Sequence, residues 1–179
     1  MGVHKSLLAV FLEISSQANV AAGFCFKAAF ADSYGLSKER KKVQPVKIRI
    51  LSSAEGGTRD LEMTFSGKMT EKNGKHYVIY EEDAQSGLDN TRTTLKWDSE
   101  RAVIIRSGAV ESRQEFCRGL KYQSVYRTPY LELPLVTETR FFDAQFRKGV
   151  WRLRIEYGLC HGGEPYGDIK IVMEIEEEL

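Results

Sequence analysis

From about residue 44 to its end the chain alternates apolar and polar residues with a period of two, in short runs separated by turn-forming residues. Successive side chains of a strand point to opposite faces, so each such run has one face to bury and one to leave wet. The sharpest case is MTEKNGKHYVIYEE. Asn73-Gly74 supplies two residues that tolerate positive φ, as a type I′ turn demands, and apolar or aromatic residues flank it on both sides.

The same pattern can be followed along the chain. Pro45 opens VKIRIL, where Val46, Ile48 and Ile50 alternate with Lys47 and Arg49. LEMTFSG sets Leu61, Met63 and Phe65 on one side, and NTRTTLKW puts Thr91, Thr93, Leu95 and Trp97 on a common face. RAVIIRSG, a short SRQEF, YQSVYRT and YLELPLVTETRFF follow, the last two separated at Pro129. Lys148-Gly149 turns into VWRLRIEYG, HGGEPYG reads as a long loop, and DIKIVMEIEEEL closes the series. That is about nine strands of ordinary length with no convincing helix among them. Sequential hairpins make an up-and-down meander, and a meander hides its edges best by closing on itself. The predicted fold is therefore all-β: a single antiparallel up-and-down β-barrel over residues 44–179.

Residues 1–43 do not share this period. LLAVFLEI and ANVAAGFCFKAAFA are apolar and Ala-rich, but Glu13 and Lys27 interrupt them, and the longest uncharged run, Ile14 to Phe26, has 13 residues. A spanning helix needs about 20. A secretory signal fits poorly too, because Glu13 falls inside its apolar core and no A-x-A site follows. The segment reads as an N-terminal extension, helical or disordered, either packing on the barrel or contributing little to it. The KERKK run and Pro45 mark its boundary.

Charge and cysteine usage exclude several classes. The chain holds 26 Lys/Arg and 25 Asp/Glu; six and three of these lie in residues 1–43, leaving 20 and 22 in the strand region. A near-neutral body lacks the positive field that gathers nucleic acid or an anionic membrane, so neither is an expected partner. Cys25, Cys117 and Cys160 are too few and too scattered for a disulfide framework or a zinc knuckle. Idle or buried thiols suit a reducing, cytoplasmic setting.

The wording of the strands between Gly74 and Leu133 carries a family likeness. GKHYVIYEE, the G-x-x-NT-x-TTLKW stretch from Gly87, VIIRSG, QEFCRG, and YRTPY followed by LEL together resemble the YwiB-like bacterial family. That family comprises calycin-type, lipocalin-like barrels of unknown function. The likeness extends more loosely from Val46 to the final strand. A glycine often follows the tyrosine of the TPY segment in that family, whereas Leu131 stands there in this chain. The resemblance implies a cytoplasmic barrel and brings no activity with it.

The residues themselves offer little catalytic chemistry. No GxSxG, GxGxxG or GxxxxGK[ST] string occurs. Cys160 and His161 are adjacent, so on a strand they face opposite ways, and no third ligand lies nearby in sequence. No enzyme activity, metal or cofactor is expected. Arg106 stands out because it shares a strand face with Ile104. A cation on such a face can hold a ligand carboxylate or phosphate, or it can pair with a Glu or loop carbonyls at the barrel rim. Tyrosines are numerous, and with Trp97 they can line a cavity or simply pack across strands. The expected function is binding of a small apolar or anionic molecule inside the barrel, with Arg106, Tyr80, Trp97 and Tyr126 near it. The alternative is a protein-interaction or structural barrel with a filled core. Either is expected as a monomer or weak homodimer.

Overall fold

The structure, a computed structural model, describes residues 42–54 and 60–178. Residues 1–41, and with them nearly all of the expected extension, lie outside that range. The described chain is built from strands alone: β1 (Gln44–Ala54), β2 (Leu61–Lys72), β3 (Lys75–Glu81), β4 (Thr91–Trp97), β5 (Arg101–Gly108), β6 (Ser112–Cys117), β7 (Lys121–Arg127), β8 (Glu132–Arg147), β9 (Val150–His161) and β10 (Glu164–Glu177).

They form one antiparallel sheet in the order β6-β5-β4-β3-β2-β1-β10-β9-β8-β7. Every neighbour is a hairpin partner except β1 and β10. Those two join the ends of the chain through nine facing pairs, from Val46 opposite Glu177 to Ala54 opposite Ile169. The barrel therefore has its weak point elsewhere, between β6 and β7. There the ladder shrinks to one bridge, Glu111 to Arg127, with reciprocal backbone bonds of 2.9 Å. At the far end of this seam Leu120 and Thr139 take over, Thr139 N–H donating to Leu120 O at 3.0 Å and Gly119 N–H to Thr139 O at 2.8 Å.

Alternation decides what lies inside. Val46, Ile48 and Ile50 of β1, Met63, Phe65 and Met69 of β2, and Ile169, Ile171, Met173 and Ile175 of β10 are all buried. Outward-facing ions pair across strands, as in Arg49–Glu62 and Arg92–Glu81, each at 2.7 Å and solvent-exposed, where water screens the attraction. Packing on the β1–β2 side is close enough to require a glycine. A Cβ on Gly67 would lie 2.7 Å from Ile48 Cδ1 and 2.8 Å from the Ile79 carbonyl.

One expectation from the sequence needs correction. HGGEPYG is not a long loop: β9 runs to His161 and β10 begins at Glu164, so the link is the two-residue turn Gly162-Gly163, both at positive φ. Pro165 and Tyr166 are absorbed by a bulge between Pro165 and Gly167, which lets a proline sit in a strand without breaking the ladder.

Candidate functional site

One end of the barrel interior is polar, and period-2 alternation puts it there. Val78 and Tyr80 point inward from β3, and the next inward position is Glu82, one residue beyond the strand. Glu82 N–H still donates to Thr91 O at 2.8 Å, so the carboxylate is carried by backbone that continues the ladder. On β4 the buried residues are Thr91, Thr93, Leu95 and Trp97. On β5, Ala102, Ile104 and Arg106 share the inward face. The register then lines up Tyr80, Thr93, Arg106 and Ser112 across β3 to β6.

The loop from Glu82 to Asn90 folds over this end. Asp83 organises it, its Oδ1 accepting from Gln85 N–H at 2.9 Å and its carbonyl from Ser86 N–H at 3.1 Å. Leu88 is thereby tucked into the core. The loop lies against the β5–β6 turn, where Ala109 N–H donates to Asn90 O at 3.0 Å. Gly108 makes that approach possible: its φ is +122°, and a Cβ would lie 2.2 Å from Asn90 O.

Within this enclosure Arg106 Nε stands 3.6 Å from Glu82 Oε1. The Glu82 side chain is 3% exposed and that of Arg106 20%. Thr93 Oγ1–H donates to Glu82 Oε1 at 2.7 Å, and Val110 N–H donates to Thr91 Oγ1 at 3.2 Å. Arg106 Nε itself is buried and donates to no acceptor among the described residues. Three phenols share the field of this pair. Burial, then the charge of Glu82, drives the Tyr80 hydroxyl well above its ordinary range. Burial pushes Tyr126 up to about 12, with Arg106 pulling it back and Glu82 adding to the rise. Burial pushes Tyr157 up to about 12 against the pull of Arg106. All three are neutral hydroxyl groups at pH 7, able to donate and to accept.

The opposite end is aromatic. Trp97 and Trp151 meet edge to face with ring centroids 5.8 Å apart, and His76 lies 5.2 Å from Trp97 and 4.3 Å from Trp151. Exposed Phe146 covers Trp151 at 5.2 Å. Trp97 is fully buried, whereas Trp151 is only partly so.

The structure thus brings together three of the four residues singled out from sequence, Arg106, Tyr80 and Tyr126, and leaves Trp97 apart. Thr93 is the partner of Arg106 across β4 and β5, and Trp97 is four residues further along β4, about 13 Å at the rise of an extended strand. Glu82, the partner of Arg106, escaped the sequence reading. Its signal was present, because Val78, Tyr80 and Glu82 continue one face of VIYEE. His161 Nδ1 lies 2.9 Å from the Pro134 carbonyl oxygen. No cluster of three or more metal-ligating side chains occurs among the described residues.

Comparison with known proteins agrees with this architecture. The chain is 27% identical over 126 residues to the uncharacterized β-barrel protein YwiB of Bacillus subtilis (strain 168), covering 69% of this chain and 87% of that protein. The crystal structure of ywiB protein from Bacillus subtilis superposes with a TM-score of 0.66 at 24% identity, over 76% of this chain and 94% of the other. Residues 46–173 match a domain of unknown function, DUF1934. On that match, which spans most of the strand region, the chain belongs to the DUF1934 family of YwiB-like β-barrel proteins.

Proposed function

We propose that the barrel binds a small molecule at its polar end, with a polar head group against Arg106 and its apolar part toward the barrel axis. One observation carries the reading: Arg106 Nε is sequestered from water, yet hydrogen-bonds to nothing among the described residues. A buried donor left unmade costs about 1–3 kcal/mol, and a ligand acceptor would recover it. Tyr80 and Tyr126 would flank the head group, both being buried in the field of Arg106 and Glu82. Trp97 would touch only a ligand long enough to extend down the axis. Binding without catalysis is the role this arrangement fits, as the three phenols are held neutral and none is activated as a nucleophile. The described cysteines, Cys117 and Cys160, are free, which suits a cytoplasmic protein.

The test is native mass spectrometry of protein purified from cells, followed by a thermal-shift screen of fatty acids, haem and small carboxylates and carboxamides. A bound ligand well above its dissociation constant should raise stability by about 2–4 kcal/mol, and Arg106→Ala should shrink that shift. If nothing co-purifies and nothing moves the melt, the barrel is better read as an interaction protein. Exposed Phe146, tilted against Trp151 at the other end, is the feature that favours that second reading.

A further inference from the structure

Resting on that reading, we infer the class of head group: an uncharged, amide-type edge, with a carbonyl oxygen to accept from Arg106 and an adjacent N–H to donate to Glu82. Arg106 and Glu82 are 3.6 Å apart, so a small ligand that reaches one also feels the other. Their inward neighbours Tyr80, Thr93, Ser112, Ser124, Tyr126 and Tyr157 add hydroxyl groups and no net charge at neutral pH. An anion drawn to Arg106 is repelled by Glu82 at a similar distance, and an ammonium meets the reverse. Neither gains enough to offset its desolvation in a buried site.

Hydrogen-bond capacity points the same way. Arg106 Nε has one N–H to give, and Glu82 Oε1, its ion-pair partner at 3.6 Å, lies beyond hydrogen-bond reach. A carboxylate offers about four acceptor sites; on Glu82, Thr93 takes one at Oε1 and the Tyr80 hydroxyl engages another. The site therefore lacks an acceptor on one side and has spare acceptor sites 3.6 Å away. A carboxamide, lactam or urea edge carries both complements on adjacent atoms without bringing a charge. The hydroxyl oxygens of Ser112 and Ser124, on the two strands that flank the seam, are likewise buried and without a hydrogen-bond partner among the described residues. They supply further contacts for a polar, neutral molecule.

The experiment uses three probes of one length, hexanamide, hexanoate and hexylamine, titrated into the full chain and followed by calorimetry. The account expects hexanamide to bind at least about tenfold more tightly than either charged probe, the effect of one buried hydrogen bond kept rather than lost. Glu82→Gln should shift the balance toward the carboxylate, so that hexanoate gains on hexanamide. Arg106→Gln should shift it toward hexylammonium, and it serves if Glu82→Gln fails to fold by far-UV circular dichroism. Hexanoate binding best to the unaltered protein would overturn the amide assignment and leave the binding site standing. So would failure of all three probes when the ligand screen succeeds with another molecule. Failure of probes and screen together would overturn both.

Discussion

The two sides of this barrel solve the problem of filling an interior in opposite ways. Along β10, β1 and β2 the inward faces are largely apolar, with Ile48 facing Ile175 and Phe65, and Ile50 facing Met173 and Met63. Along β5 to β8 the inward faces mix Phe116 and Leu135 with Arg106, Ser112, Ser124, Tyr126, Thr137 and Thr139. Buried polar atoms without a hydrogen-bond partner follow the same division. Among the described residues there are six, and four of them, on Arg106, Ser112, Ser124 and Thr139, lie on these four strands. Unpaired buried polar groups cost stability. The fold concentrates its packing on one wall and tolerates polar groups that weaken the core on the other, beside the one place where the ladder is nearly broken. The aliphatic wall holds the barrel together; the polar wall carries the groups that the proposed ligand would use.

Substitutions that treat both walls alike should break the symmetry of response. Among changes to the packing itself, the largest loss is expected from Ile48→Ala, whose side chain is fully buried between β10 and β2; urea denaturation should report about 2–5 kcal/mol. Gly67→Ala on the same wall should cost about 1–3 kcal/mol, because the added methyl meets Ile48 and the backbone of Ile79 and the wall must be overpacked to accept it. Equivalence of Gly67→Ala with the unaltered protein would mean that this wall has slack.

A smaller effect separates the aromatic end from the polar one. Burial holds the His76 imidazole below its ordinary pKa, with Glu71 opposing weakly. The unfolded chain then binds a proton near pH 6.5 that the folded chain refuses, so stability must fall as pH drops below about 6.5. Melting temperatures across pH 7.5 to 5 should show this decline, and it should be shallower in His76→Gln. The smallest effects belong to the two serines of the polar wall. Ser112→Ala and Ser124→Ala each remove a buried hydroxyl that bonds to nothing described, so each should be neutral within about 0.5 kcal/mol or slightly stabilising. A loss above about 1 kcal/mol from either would show that these hydroxyls serve the fold.

How much of this was readable beforehand follows the range of the interactions. Alternation is local, so the inward faces of VKIRIL, TRTTLKW and DIKIVMEI could be assigned from sequence, and burial agrees. Pairing between β1 and β10 joins residues 115 to 131 positions apart and leaves no local mark, so the seam between β6 and β7 is not legible in the sequence. Alternation alone puts Trp97 and Arg106 both on inward faces. Only the register shows that Thr93, not Trp97, stands opposite Arg106. Glu82 was missed for a different reason. The second Glu of YEED looks like a solvated strand end, and only the loop that tucks Leu88 into the core encloses it. HGGEPYG misled because glycine and proline mark loops in general, whereas here they build a tight turn and a bulge.

The central claim is that the Arg106–Glu82 pair is kept for binding and not for stability, and a double-mutant cycle tests it most directly. Arg106→Met alone should cost about 3–5 kcal/mol by leaving Glu82 buried without its counter-ion. Glu82→Leu alone should cost less, since Arg106 is the more exposed partner. The double variant should be within about 1 kcal/mol of the original protein or more stable than it, as replacement of a buried pair by apolar residues often is. If the double variant instead loses as much as the two single changes added together, the pair belongs to the structural core, and the polar wall is no site.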